Sequence, residues 1–329
     1  MSDDQGELPL FSPDRWVDFA VRALPGVGAE AHALWRATLR TKGVAPVDWL
    51  NLPRRKRIAT APLPDTAEEM LGRRAEALKR LCRGEGAGRD LWVLGPMDSA
   101  WPTEGLAVMG NAAPDWLLGW GNPRLMHTPN VAVVGSRETT AEALQVAEII
   151  GRSLVELGYD VVSGGARGVD QTAQQAALRA GGRSLYLLAE GIAHSQEFQS
   201  RADHDPERVC LLSAQWPFAR FSTAEAMRRN RLIVALAKAV IVVAARSGGG
   251  SIMTGQTALD FDRPTLVVDH GEITVHTAGN HRLLQAGAKP LPAELFASGH
   301  APAELRQALE TAATPPPRTG DLFGEGEFR

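Results

Sequence analysis

Short apolar segments alternate with amphipathic ones through the middle of this 329-residue chain, and two of the apolar segments end in a glycine turn. The first turn closes residues 131–137 (VAVVGSR), and the second lies within residues 161–170 (VVSGGARGVD). A strand that stops at glycine and feeds a helix leaves backbone N–H groups exposed at the helix N-terminus, where anions bind. An arginine in each turn adds donors that suit a phosphate. The pattern predicts an α/β protein that holds phosphates.

The alternation predicts a Rossmann-like, doubly wound, mostly parallel sheet over residues 91–295, because continuous apolar strands separated by helices are typical of parallel sheets covered on both faces. In such sheets the site lies at the carboxyl ends of the strands. The expected strands are 131–135, 160–163, 184–188, 208–212, 239–244 and 264–268, and the expected helices between them are 142–157, 171–180, 224–236 and 251–260.

The regions on either side differ in character. Residues 1–90 show apolar positions at three-to-four spacing and predict a small helical N-terminal domain. Within it, residues 24–28 (LPGVG) resemble the hairpin of helix-hairpin-helix or SAM-like DNA-binding modules, although a plain turn explains them equally well and His32 stands where a small residue is usual. Residues 296–329 end in a Pro- and Gly-rich stretch and are expected to form a flexible C-terminal tail.

Composition excludes several classes of protein. No run of about 18 apolar residues exists, and the acidic N-terminus lacks the pattern of a secretory signal, so we expect a cytoplasmic protein without a membrane span. Cys82 and Cys210 are the only cysteines, and the eight histidines form no H-E-x-x-H motif, so no disulfide framework and no metal site is expected. Neither G-x-G-x-x-G nor a P-loop occurs, so no nucleotide cofactor is expected.

Charge is unevenly distributed along a chain whose net charge is only −3. Residues 36–89 contain thirteen Lys and Arg against six Asp and Glu, with four consecutive basic residues at 54–57. Such a patch indicates an anionic partner, or it is simply the solvated face of helices.

Donor-rich loops follow four of the expected elements: 135–137, 163–168, 228–231 and 248–254. Loops that follow neighbouring strands share one edge of a doubly wound sheet, so these groups are expected to line an anion-binding trough. Taken singly, each loop also has a structural explanation: glycines for tight turns, Asp170 as a partner for Arg167, and residues 228–231 as an exposed helix start.

These residues resemble the DNA-processing protein A family, also called DprA or Smf. The shared motifs, in order, are 121–122 (GN), 134–137 (VGSR), 163–170 (SGGARGVD), 229–233 (RNRLI), 250–254 (GSIMT), Asn280 and 287–288 (GA). The resemblance runs from about Trp92 to Pro290.

The resemblance implies a cytoplasmic homodimer that binds single-stranded DNA without catalysis, for recombination or DNA uptake and processing in natural transformation. Sequence-tolerant, salt-dependent contacts between phosphates and the Gly/Arg loops agree with that role. Double-stranded DNA is a further expected partner, through the N-terminal domain. Arg201 falls near a lysine of the family that contacts DNA. The expected DNA- and phosphate-binding residues are Gly135, Ser136, Arg137, Ser163, Gly164, Gly165, Arg167, Gly168, Arg201, Arg229, Asn230, Arg231, Gly250, Ser251 and Thr254, with Asp170 in a structural pair.

The chain departs from the family pattern after Gly191, at 244–245 and at 269–270, and we expect a diverged member without the C-terminal winged-helix domain. These departures leave open a DNA-binding or antitoxin component of a phage-defence or toxin–antitoxin system, so the protein partner is either a recombinase or a toxin. A third hypothesis is a nucleotide phosphoribohydrolase resembling the LOG proteins. Gln256 stands where those enzymes have a catalytic glutamate, which argues against this enzyme class. Residues 7–11 (ELPLF) and 320–323 (GDLF) also resemble peptides that dock on bacterial sliding clamps, or they match by chance.

Overall fold

A computed structural model describes residues 12–83, 85, 91–300 and 302–313. The chain divides into two compact units, Met1–His127 with Ser184–Leu232, and Thr128–Arg183 with Ile233–Arg329. The strands of the described residues are β1 (Trp92–Leu94), β2 (Leu117–Gly121), β3 (Asn130–Val134), β4 (Asp160–Ser163), β5 (Ser184–Leu187), β6 (Val209–Ser213), β7 (Ala239–Val242), β8 (Thr265–Asp269) and β9 (Lys289–Pro292).

The helices of the described residues are α1 (Pro13–Arg22), α2 (Ala29–Thr41), α3 (Pro46–Asn51), α4 (Arg54–Thr60), α5 (Asp65–Cys82), α6 (Thr103–Leu106), α7 (Ala141–Glu156), α8 (Val169–Arg179), α9 (Gln196–Gln199), α10 (Thr223–Leu236), α11 (Gly250–Asp260), α12 (Ala278–Gln285) and α13 (Pro302–Ala313). Short 3-10 helices link several of them. None of these helices is long and apolar enough to cross a membrane.

The first unit joins the N-terminal helices to four strands in the order β1-β2-β6-β5. β1 and β6 pair antiparallel with β2, whereas β5 and β6 run parallel. The helices are anchored by aromatic burial: Trp16, Trp35 and Trp49 are each no more than 1% exposed. Trp35 and Trp49 meet edge to face, with ring centroids 5.1 Å apart. The early tryptophans of the sequence therefore form the core of a helical cluster.

The second unit is an entirely parallel sheet in the order β4-β3-β7-β8-β9. Its apolar strands pack against α7, α8 and α13 in one continuous core. α11 packs against the other face of β7. Gly255 of α11 lies so close to Val242 that a Cβ at this position would meet Val242 Cγ2 at 3.2 Å. Helices on both faces of a mostly parallel sheet confirm the predicted doubly wound α/β fold.

Three strands were missed by the sequence patterns, each for a local reason. β1 has only three residues, which is too short to show a periodicity. β2 (LLGWG) contains two glycines, and Gly119 accommodates the Trp92 ring, which would lie 2.0 Å from a Cβ at that position. β9 (KPLP) carries two prolines, which sequence rules assign to loops but which an edge strand tolerates.

The predicted domain boundaries differ from the observed units. The predicted boundary between residues 90 and 91 falls inside the first unit, because α1 contacts β1 and Arg15 Nη1 donates to Val93 O across 3.2 Å. The predicted flexible tail from residue 296 includes Phe296, which is buried, and α13, whose Leu305 and Leu309 enter the core beside α7. Apolar residues four positions apart on one helical face account for that packing. Residues 314–329 lie outside the described part of the chain.

Leu305 is fully buried, so Leu305→Ala is expected to lower the free energy of unfolding by about 2 kcal/mol. This value is at the lower end of the range that is usual for a buried leucine replaced by alanine. Chemical denaturation of the variant measures this loss, with Glu304→Ala as the control because Glu304 is exposed on the same helix. Equal stability of the two variants would show that α13 does not contribute to the core.

Candidate functional site

The loops that follow β3, β4 and β7 lie side by side, because these three strands are neighbours in one parallel sheet. The loop after β3 is bonded to the loop after β7, since Ser136 N donates to Ala244 O across 2.8 Å. It also meets the loop after β4, since Val169 N lies 3.4 Å from Ser136 O. The fold thus brings the two arginine-bearing glycine turns and the turn at 248–250 to one edge of the sheet.

Gly168 allows the closest approach between two of these loops. Its φ is +89°, a conformation that L residues rarely adopt, and a Cβ there would lie 2.4 Å from Ser136 O and 2.8 Å from Arg137 O. Glycine is therefore required at this position both by the backbone and by the contact between the loops.

Gly168→Ala is expected to cost about 2 kcal/mol of folding stability, because the strain of positive φ and the collision with Ser136 O act together. Gly181→Ala is a matched control, because Gly181 has φ +85° but open space around it, and only the strain of positive φ remains. Thermal and urea unfolding of both variants separate the two effects. Equal destabilisation would show that the two loops are not in contact.

The backbone amides of both glycine turns are already paired with side chains from α8. Asp170 accepts hydrogen bonds from Gly135 N and Gly164 N, each 3.2 Å long, and Gln174 Oε1 accepts one of 3.0 Å from Gly165 N. Asp170 is 7% exposed and Gln174 is fully buried. Asp170, the expected partner of Arg167, therefore binds the backbone of both turns and fixes their shape.

Two of the expected hydroxyl donors are also engaged inside the protein. Ser163 is fully buried and donates to Val133 O across 2.7 Å. Thr254 is 2% exposed and donates to Gly250 O across 2.8 Å within α11. The Ser163 hydroxyl thus links β4 to β3, and the Thr254 hydroxyl bonds within α11.

The guanidinium groups and the start of α11 face solvent at this edge. Arg137 and Arg167 are exposed, and Ser136 is half-buried. α11 begins at Gly250 after Gly249, whose φ is +112°, and a Cβ on Gly248 or Gly249 would meet no atom within 4 Å. A helix N-terminus at the same sheet edge as two arginines presents both amide donors and positive charge to an anion.

A second set of expected residues lies in the first unit. The Arg201 guanidinium stacks over the Phe198 ring at 4.1 Å and donates to Phe198 O across 3.1 Å. Arg229 donates to Leu187 O at the end of β5 across 2.5 Å and to Asn230 Oδ1 across 3.1 Å. Arg231 is exposed. Arg229 therefore supports the end of β5, whereas Arg231 is exposed and Arg201 is half-buried.

Burial is the largest cause of the pKa shifts of Glu197 and Cys82 in the first unit. Burial raises the pKa of the Glu197 carboxyl, and the charge of Glu190 acts in the same direction, whereas the Glu197 backbone and Arg229 lower it. Burial also raises the pKa of Cys82 to about 12, so this thiol stays protonated at neutral pH and is a poor nucleophile. Among the described residues, no group of three or more His, Cys, Asp or Glu side chains is placed to hold a metal ion.

The turn at 24–28 connects the first two helices of the N-terminal cluster. α1 and α2 flank the turn at 24–28, in which Leu24 and Val27 are buried and Gly26 has φ +77°. His32 is buried, with its Nε2 3.0 Å from Asp18 Oδ1, so this departure from the hairpin pattern packs inside the cluster.

Six of the thirteen basic residues at 36–89 form ion pairs with acids in the described part of the chain. Arg57 is buried and bonded to Glu68 across 3.1 Å, and Arg73 pairs with Glu69 across 2.5 Å. Residues 54–56, at the start of α4, are exposed. Residues 54–56 therefore form an exposed basic segment of the helical cluster.

The model of the DNA recombination-mediator protein A family matches residues 92–297, more than half of the chain. The chain belongs to this family. It is 31% identical to DNA processing protein DprA of Bacillus subtilis over 49% of this chain and 55% of that protein. It is 30% identical to the putative DprA of Mycobacterium tuberculosis over 75% of this chain and 66% of that protein. The matches thus span less than two thirds of the length of these relatives.

Solved structures of DprA proteins share the fold. The X-ray structure of DprA from Streptococcus pneumoniae superposes with a TM-score of 0.63 at 23% identity, covering 87% of this chain and 98% of that one. The structure of DprA from Helicobacter pylori concerns a single-stranded DNA binding mode. It superposes with a TM-score of 0.53 at 24% identity, covering 64% of this chain and 94% of that one.

Two of the three departures from the DprA motif pattern, at 244–245 and 269–270, lie in the second unit. Ala245 N donates to Asn280 Oδ1 across 2.7 Å, so the backbone at the altered 244–245 pair is held by an asparagine of the DprA motif set. His270 belongs to the departure at 269–270, and its Nε2 lies 2.8 Å from Val243 O. Both changes therefore form part of the loop framework after β7 and β8.

Two residues of the site were not predicted from the sequence. Gln174 is four residues after Asp170, and this helical spacing, which places both side chains on one face of α8, was the available signal. Arg246 is exposed in the loop after β7 and lies 3.8 Å from Glu138 Oε2 in the loop after β3. An ion pair between two exposed side chains is weak, so Arg246 is a third guanidinium available at this edge.

Proposed function

We propose that this DprA family member binds single-stranded DNA without catalysing a reaction, in recombination or in DNA uptake and processing. The observation that carries the proposal is the meeting of three loops at one sheet edge, where Arg137, Arg167 and the N-terminus of α11 face solvent. Successive phosphates of one strand match such a row of positive donors.

The proposal assigns different tasks to the expected residues. Arg137, Arg167 and Ser136 contact phosphates, with the amides of residues 250 and 251 at the start of α11. Asp170, Gln174, Ser163 and Thr254 instead fix the loops, because their polar atoms are bonded within the protein. The turn glycines contribute shape, since the amides of Gly135, Gly164 and Gly165 are already paired.

The names of the relatives support a DNA substrate. The matching family is described as a recombination mediator, and the Helicobacter pylori relative binds single-stranded DNA. Gln256 bonds to Asp260 across 3.0 Å on α11, and an amide cannot donate or accept a proton as the glutamate of a nucleotide hydrolase does. A binding function therefore accounts for the site better than hydrolysis.

The experiment is fluorescence anisotropy with a labelled single-stranded oligonucleotide and its duplex, measured with the wild-type chain across a salt series. We expect tighter binding of the single strand. Its affinity should fall with salt by a logarithmic slope of about −0.7 for each phosphate contacted. Binding that is absent, or that is indifferent to salt, would contradict the proposal.

Double-stranded DNA is proposed to bind the N-terminal helical cluster. The exposed Arg54, Arg55 and Lys56 supply the charge, and the hairpin at 24–28 leaves Gly28 with no atom within 4 Å of its Cβ position. Alanine at all three basic positions is expected to weaken duplex binding while single-strand binding stays unchanged.

A homodimer, and a recombinase or toxin partner, remain predictions, and the clamp-like peptides at 7–11 and 320–323 lie outside the described residues.

A further inference from the structure

A pocket of about 360 Å³ opens at the carboxyl edge of the parallel strands β5 and β6 of the first unit. Leu188 follows β5, and Ala214 and Gln215 follow β6, so the pocket occupies the position where α/β sheets bind ligands. Its volume is at the lower end of the range for small-ligand sites.

One side of this pocket is apolar. The wall combines a segment that precedes β2 with residues from the sheet edge and from α10, namely Met109, Ala112, Pro114, Leu188 and Leu232. Leu188 and Leu232 are buried, whereas Ala112 is exposed at the mouth. An apolar slot of this size suits a flat heterocycle better than a hydrated ion.

The other side of the pocket is charged, with three guanidiniums against one carboxylate. Arg228, Arg229 and Arg231 line it, together with Glu225 and Gln215. Arg228 Nη1 donates to Glu225 Oε1 across 2.6 Å, and Gln215 donates to the other oxygen of the same carboxylate. The residues that line the pocket thus include three arginines and one acid, an excess of positive charge that favours an anionic ligand.

We infer that this pocket binds one nucleotide unit, with its base against the apolar wall and its phosphate at Arg228 and Arg231. The inference rests on the proposed function where that nucleotide belongs to the bound single strand. The same chemistry is supplied by a free mononucleotide, and the test distinguishes the two sources.

The test compares a labelled oligothymidylate with an oligomer of the same length in which abasic tetrahydrofuran units replace the bases. Both carry the same phosphates, so only base contacts differ. The wild-type chain is expected to bind the abasic oligomer on the order of tenfold more weakly, the effect of one or two lost base contacts. Ala112→Trp, which fills the mouth of the pocket, is expected to bind both oligomers at the weaker level.

Asn111→Trp is the matched control, because Asn111 is exposed beside Ala112 but does not line the pocket. It should keep the wild-type preference for the oligomer with bases. A preference that survives in Ala112→Trp would overturn the inference for a strand nucleotide, because the base contacts would then lie elsewhere. Thermal unfolding of both variants checks that the tryptophans leave the fold intact.

The second arm is calorimetric titration of the full chain with thymidine 5′-monophosphate. Saturable binding that Ala112→Trp abolishes, together with equal affinity for the two oligomers, identifies a free nucleotide as the occupant. This arm decides the inference even if the chain binds no oligonucleotide, so failure of the proposed function and failure of the pocket are distinguishable. Absence of both the base preference and mononucleotide binding overturns the inference.

Discussion

Replacing Arg137 and Arg167 together by alanine is expected to weaken binding of a single-stranded oligonucleotide by about 100-fold at low salt. The physical reason is the loss of two charge-assisted contacts to phosphate, each contributing about 1.4 kcal/mol. Both side chains are exposed and project from loops shaped by backbone contacts, so their removal leaves the turns folded. Fluorescence anisotropy of the double variant measures the loss.

The salt dependence gives a second, independent readout of the same change. Losing two phosphate contacts should reduce the magnitude of the logarithmic salt slope by about 1.4. Arg179→Ala is the control, because Arg179 is exposed, pairs with Glu148 and lies at the far end of α8 from the loop. A double variant that keeps the wild-type slope, or a control that loses as much affinity, would place the DNA elsewhere on the molecule.

Asn280→Ala is expected to lower the free energy of unfolding by about 4 kcal/mol, the largest loss of stability that we predict. Asn280 is 2% exposed, and its amide makes three hydrogen bonds: from Ala245 N, and to Val243 O and Val268 O, at 2.7, 2.9 and 2.8 Å. Alanine would leave these backbone groups without this partner in a site that excludes water. Urea denaturation measures the loss.

Two further variants show whether the loss belongs to this hydrogen-bond network. Asn280→Asp keeps an acceptor for Ala245 N but turns an oxygen toward two carbonyl groups, so we expect it to be destabilised as well. His281→Ala, on the exposed face of the same helix, should change stability by less than about 0.5 kcal/mol. Wild-type stability of Asn280→Ala would show that the loop after β7 is not held by this side chain.

The fold was accessible from the sequence because local signals and tertiary structure agree in the second unit. Residues 131–135 (VAVVG) form a continuous apolar run that ends in glycine, and residues 160–163 (DVVS) contain two valines before Gly164. The structure places β3 and β4 within one residue of both predictions. Such runs are typical of buried parallel strands, and the helices between them follow from their apolar spacing. The six predicted strands all exist, whereas β9 at the edge, with its prolines, carries no such signal.

The sequence did not show which polar groups of the site are available to a ligand and which are bonded within the protein. A glycine turn and an arginine predict an anion site, but the pattern does not show which amides are already paired. Asp170 and Gln174 take up three of them, and this depends on how α8 packs against two loops from different strands. The close approach at Gly168 and the buried hydroxyl of Ser163 are likewise tertiary contacts.

The central claim is that a single strand crosses the sheet edge formed by the loops after β3, β4 and β7. A crystal structure of the full chain with a short oligothymidylate tests it most directly. We expect backbone phosphates within hydrogen-bond distance of the Arg137 and Arg167 guanidiniums and of the first amides of α11. A bound strand that leaves both arginines and this helix N-terminus without a phosphate would contradict the account.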